Sequence, residues 1–133
     1  MKRLSSHVEI KRIVSVGKDR RGHVWEWKFT DGHQVSIFFR KKGAHFAHHY
    51  HTGIDPSKNP ERFFLVSGSV RVTWWDSRDK KYTKKVYAGS EIIIPARVPH
   101  CFDALEDCTF LEYRTTHFDP KHSDVLPLTQ HPS

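Results

Sequence analysis

Residues 43–53 read GAHFAHHYHTG and place His45, His48, His49 and His51 within one short segment. Imidazoles repel one another when protonated and hydrogen-bond awkwardly when several are buried neutral, so such crowding needs either solvent or a shared cation. On a strand over 44–51 the side chains alternate. His45, Ala47, His49 and His51 then fall on one face, with His48 and Tyr50 on the other. A His-x-His pair on a strand aims two rings the same way, which is a chelating arrangement for a divalent metal. Two ligands seldom suffice, and an isolated His-x-His is more often an exposed polar face. The other donors have to come from elsewhere in the chain.

The elements around this segment read as short strands. WEWKFT and HQVSIFFR flank Asp31-Gly32, a pair suited to a type I′ hairpin turn. ERFFLV and VRVTWW flank Ser67-Gly68-Ser69, and KYTKKVY, SEIIIP and CTFLEYR follow. No stretch keeps a 3.6-residue apolar period. Many short antiparallel strands must close or stack to hide their edges, which predicts a sandwich or small barrel over 1–115. TGIDPSKNPE reads as a polar surface loop, and 116–133 as an extended tail that either wraps the domain or is partly disordered.

Two spaced patterns then come into view. Gly43 is followed by five residues, then His49-Tyr50-His51, and Glu61 is followed by six residues and Gly68. Later come Gly89, five residues, Pro95-Ala96-Arg97, two residues, His100, three residues and Ala104. In this order the patterns resemble the two motifs of the cupin superfamily, an all-β double-stranded β-helix or jelly-roll barrel. The chain departs from those motifs at three places. Nine residues separate His51 from Glu61 where the motif has three or four, Arg97 stands for a glycine, and Ala104 for an asparagine.

The resemblance implies that His49, His51, Glu61 and His100 are metal ligands. Three neutral imidazoles and one carboxylate suit Zn, Fe, Mn, Ni or Co and leave coordination positions for water or substrate. Binding needs unprotonated rings, so affinity is expected to fall below about pH 6. Phe63 and Leu65 share a face with Glu61 and should line the interior around the metal. Arg40 and Lys42 could clamp a phosphate at the barrel mouth, although a charged loop is the plainer reading. His45 or Tyr113 could act as general acid or base if either reaches the pocket; Tyr113 is taken to face it and Glu112 to face away. His48, His117, His122 and His131 are expected to point to solvent.

Composition narrows the partners. The 133 residues carry a formal net charge of +7, with 37% hydrophobic and 28% charged residues, which is globular and basic. The charge favours a small anionic substrate. No nucleic-acid motif accompanies it, no apolar run could span a membrane, and no secretory leader stands at the start, so the expectation is a cytoplasmic protein. Cys101 and Cys108 could pair or stay free. Bulk on both faces of 70–75, Trp74 and Trp75 included, suggests a homodimer surface.

For function, three classes follow. The first is a metal-assisted sugar isomerase or epimerase, favoured by a looser resemblance of DRRGHVWEW, GAHFAHHYH and ERFFLVSGSVRV to cupins that modify nucleotide-linked sugars. The second is a non-haem iron dioxygenase, and the third a cupin that binds a small molecule without catalysis.

Overall fold

The computed structural model describes residues 8–13 and 15–127. Among these residues eleven strands run in chain order: β1 (Ser15–Asp19), β2 (Gly22–Lys28), β3 (Gln34–Arg40), β4 (His45–Tyr50), β5 (Glu61–Ser67), β6 (Ser69–Trp75), β7 (Lys81–Tyr87), β8 (Glu91–Ile94), β9 (His100–Ala104), β10 (Cys108–Arg114) and β11 (Leu126–Pro127). They form two antiparallel sheets, ordered β1-β2-β3-β10-β5-β8 and β11-β4-β9-β6-β7. This is the all-β jelly-roll expected from the sequence. Among the described residues no helix is long and apolar enough to cross a membrane.

Alternation decides what enters the space between the sheets. On β5, Glu61, Phe63 and Leu65 point in while Phe64 and Val66 are about half exposed. Phe63 meets Phe102 and Phe110 edge-on at 5.5 Å each, and Phe110 stacks on Phe38 and Phe46 at 5.0 and 5.5 Å. These rings, with Leu65, Val70, Val72, Ile94 and Cys108, fill the core. Cys101 and Cys108 are both buried and free.

The chain changes sheets between β5 and β6 at Gly68. Its φ is +82°, and a Cβ there would lie 2.3 Å from the Asp107 carbonyl oxygen, so only glycine fits. The Asp31-Gly32 turn differs from expectation. Only Gly32 has positive φ, and Gly32 N–H donates to Phe29 O at 3.1 Å. Type I′ needs left-handed backbone at both central residues, so the connection is a wider turn closed by glycine.

β6 is an interior strand, so Trp75 is covered within the single chain and Trp74 packs against the core. The exposed apolar surface lies instead on the outer face of the first sheet. Trp27, Phe64, Val66, Ile93 and Tyr113 there are each 44–48% exposed.

Residues 116–127 fold back on the barrel. Phe118 N–H donates to the amide oxygen of fully buried Gln34 at 2.9 Å, and β11 adds to the edge of β4. His131 and the side chains of His48 and His122 lie outside the described residues.

Candidate metal centre

An irregularity in β4 sets the site. His45 pairs with Asp103 and Phe46 with Phe102, but His49 pairs with His100, so β4 carries one residue more than β9 over this stretch. Ala47, with φ 54°, is inside the bulge. Phe46 faces the core, and the extra residue brings His49 and His51 to that same interior. Without it His49 would point outward. The face shared with His45 in a regular strand is therefore lost: His45 sits on the outer surface, its Nδ1 2.8 Å from Asp103 Oδ1. It does not line the pocket.

Ligand atoms of His49, His51, Glu61 and His100 all lie within 4.8 Å of one another. The His49 ring centroid is 4.6 Å from that of His51 and 5.1 Å from that of His100. His51, Glu61 and His100 are each at most 3% exposed. His100 Nδ1 is 2.8 Å from Val98 O, and His51 Nδ1 bonds to Asp124 O. A carbonyl can only accept, so both Nδ1 atoms carry the proton and both Nε2 lone pairs face inward. His51 Nε2, His100 Nε2 and Glu61 Oε1 are buried without a hydrogen-bond partner. Three orphaned acceptors aimed at one another destabilise the fold unless a cation joins them. That donor set fits a divalent transition metal.

The second motif's turn survives its substitution. Arg97 takes φ 67°, the left-handed conformation for which glycine is favoured, and its N–H donates to His51 O at 2.6 Å. The turn after β8 is thus tied to the residue beyond β4, which fixes His51 and His100 relative to each other.

Two site residues had no signal in the spacing. The nine-residue insertion forms a 3-10 turn over Pro56–Lys58 and carries Lys58 inward. Its Nζ is 2.7 Å from Glu61 Oε2 and 2.7 Å from Glu112 Oε1. Glu112, not Tyr113, is the inward residue of β10. Tyr113 is on the outer face, its hydroxyl 2.6 Å from His33 Nδ1. β10 reads CTFLEYR with bulk on both faces, so alternation alone did not fix its phase.

Electrostatics separate the two carboxyls. Burial raises both, but at Glu61 the Lys58 ammonium 2.7 Å away opposes it, and the carboxyl lies well below the usual carboxylate range. At Glu112 burial prevails over Lys58, with the Glu61 charge adding to it, and the carboxyl is pushed up. Burial, joined by the nearby His100 and His51, lowers His49 to about 3. This ring therefore stays unprotonated far below the pH 6 limit expected for a free imidazole.

Arg40 and Lys42 lie at the other end of the barrel. Arg40 is buried over the Phe38 and Phe46 rings at 5.5 and 5.4 Å, and it pairs in register with Cys108 and Gly22. Lys42 is exposed, with its backbone N–H donating to Asp107. Neither reaches the His/Glu cluster. Phe63 is a core ring, two residues along β5 from Glu61. A cleft of about 770 Å³ opens between edge strands β7 and β8 and reaches His100; Trp74, Lys84 and Val98 are on its walls. His117 is exposed, its Nε2 2.9 Å from Phe29 O.

The tail braces the insertion. Asp124 accepts from Thr52 N and Oγ1 at 2.8 and 2.6 Å and from Gly53 and Asp55 N at 2.9 and 3.2 Å. Partial burial works against its charge, but these hydrogen bonds outweigh it and lower its carboxyl to about 2. A folded-state value below the unfolded one gives stability that is complete above about pH 4 and lost as pH falls toward 2. Asp124→Ala should therefore lower the urea midpoint at pH 6, with the difference from wild type shrinking as pH falls toward 2. It should also lower metal affinity about 10–100-fold, because the backbone carbonyl that fixes the His51 ring loses the carboxylate bonds that anchor its segment to Thr52, Gly53 and Asp55.

No protein-family model and no curated protein matches the chain. Solved structures do. CapF, a capsular polysaccharide assembling protein from Staphylococcus aureus, is 24% identical with a TM-score of 0.75 over 90% of this chain and 33% of that one. A variant of Bacillus subtilis oxalate decarboxylase is 20% identical with a TM-score of 0.67, again over 90% and 33%. A Lactobacillus farciminis oxalate decarboxylase formate complex is 21% identical at 0.66, over 90% and 38%. The chain thus spans about a third of the length of these proteins. What the chain shares with them is the all-β jelly-roll fold.

Proposed function

We propose that the protein is a metal-dependent cupin enzyme that isomerises or epimerises a sugar or nucleotide-linked sugar. The observation that carries this reading is the convergence of three partnerless buried acceptors, one of them on His100, the member of the set that the cleft reaches. When bound there, a divalent ion supplies Lewis-acid stabilisation of negative charge on a carbonyl or enediolate oxygen. His49, His51, Glu61 and His100 would hold it. The Mn(II) centres named for B. subtilis oxalate decarboxylase make manganese a reasonable first ion to test.

The chain's other residues divide the remaining work. Lys58 orients Glu61 through Oε2 and leaves Oε1 for the ion. With His45 and Tyr113 on the outer surface, proton handling passes to the Lys58–Glu112 pair. Carboxyls pushed apart by their surroundings are a recurrent acid–base arrangement, and Glu112 is the one inclined to hold a proton. In the cleft, Trp74 offers a sugar-stacking face and Lys84 a charge for a phosphate, the part earlier given to Arg40 and Lys42. The volume is in the range of small-molecule sites. The polysaccharide-assembly role named for CapF points to the same substrate class.

The test is incubation of the metal-loaded protein with nucleotide-linked sugars in deuterium oxide. Deuterium appearing in the sugar without oxygen uptake is the expected result. Oxygen consumption would transfer the assignment to a dioxygenase, and tight binding without turnover to a binding cupin.

In this reading the protein is a homodimer joined through the apolar outer face of the first sheet. Light scattering on a sizing column should give a dimer mass, and Phe64→Glu should give a monomer that still binds metal. A wild-type monomer at high concentration would contradict it.

A further inference from the structure

A second group of donors lies on the opposite side of the second sheet. His45 on β4 pairs in register with Asp103 on β9, and Cys101 is two residues earlier on the same face of β9. Ligand atoms of His45, Cys101 and Asp103 all lie within 4.8 Å of one another. His45 and Asp103 side chains are 37% and 36% exposed, which opens a path from solvent, while Cys101 forms the floor beside Trp75. Among the described residues these are the only such donor groups besides the candidate metal centre.

We infer that His45, Cys101 and Asp103 form a separate surface site for a thiophilic divalent ion such as Zn²⁺ or Co²⁺. The donor types carry the argument. One sulfur, one imidazole nitrogen and one carboxylate oxygen make a mixed set that suits zinc-like ions and disfavours magnesium or calcium. Sheet register holds the three in place, so little ordering is needed on binding. The 2.8 Å His45–Asp103 contact has to open slightly to admit an ion between the two atoms. The thiol proton leaves to solvent as the metal–sulfur bond forms, and water can complete the fourth position. Nothing here depends on the His/Glu centre, which contains no sulfur.

Cobalt separates the two sites, because only a thiolate ligand gives the near-ultraviolet sulfur-to-cobalt charge-transfer band. Titrating the full chain with Co(II) should produce that band along with a second equivalent of bound metal. Cys101→Ser should abolish the band, and His45→Ala, an exposed change that leaves the core intact, should weaken binding at this site at least about 10–100-fold. Cys108→Ser should leave the band unchanged, since Cys108 is in the core. Absence of a thiolate band at saturating Co(II), its persistence in Cys101→Ser, or unaltered affinity in His45→Ala would each overturn the site.

Discussion

His100→Ala and His51→Ala are each expected to lower Mn(II) affinity by at least about 100-fold. Outer-shell changes at metal sites already cost about 10–100-fold, and here a ligand itself is lost. Mn(II) is the suitable probe because its preference for oxygen and nitrogen donors keeps it off the thiol-bearing cluster. Both rings are pre-aimed by carbonyl partners at Nδ1, so the wild-type site spends little on ordering its ligands. The loss should also appear as stability. Metal at one hundred times its dissociation constant raises folding stability by about 2.7 kcal/mol, and that increment should be absent in both variants. His23→Ala, on β2 beside Trp25 and away from the cluster, should bind as wild type does. Equal affinity in all three variants would place the metal elsewhere.

The second large effect concerns Lys58. Lys58→Met is expected to destabilise the metal-free protein by about 3–5 kcal/mol, read from urea unfolding, because it leaves Glu61 buried without its cation and Glu112 with only Arg114 at 3.6 Å. Glu61 is the more affected, since its charge persists through the very contacts that Lys58 shares. Added divalent metal should restore part of the loss by taking over neutralisation of Glu61. The double change Lys58→Met with Glu112→Leu should cost somewhat less than the single one, because it removes the second carboxyl that repels Glu61, although Glu61 itself stays buried without Lys58. A Lys58→Met protein as stable as wild type, with unchanged metal affinity, would remove Lys58 from the site.

Much of this could be read from residue types and spacing, and the rest could not for physical reasons. His49, His51, Glu61 and His100 stand at offsets that the two motifs tie to one barrel, and the structure gathers all four. His45 was misplaced because alternation assumes a regular strand, and the bulge at Ala47 shifts everything after it by one residue. Glu112 and Tyr113 were exchanged because Phe110 and Leu111 offer apolar bulk to either face. Lys58 and Asp124 were invisible. One is in an insertion that reads as surface loop, and the other, in the tail, acts across 72 residues on Thr52. Arg40 read as a solvated charge, but the Phe38 and Phe46 rings absorb its guanidinium. Local pattern reports strand faces; which loop folds inward depends on contacts between distant segments.

One measurement bears most directly on the account: anomalous diffraction at the metal absorption edge from crystals of the full chain grown with a divalent transition metal. The expected result is a peak bonded at once to His49, His51 Nε2, Glu61 Oε1 and His100 Nε2. Metal-replete crystals with no peak among those four side chains would contradict it.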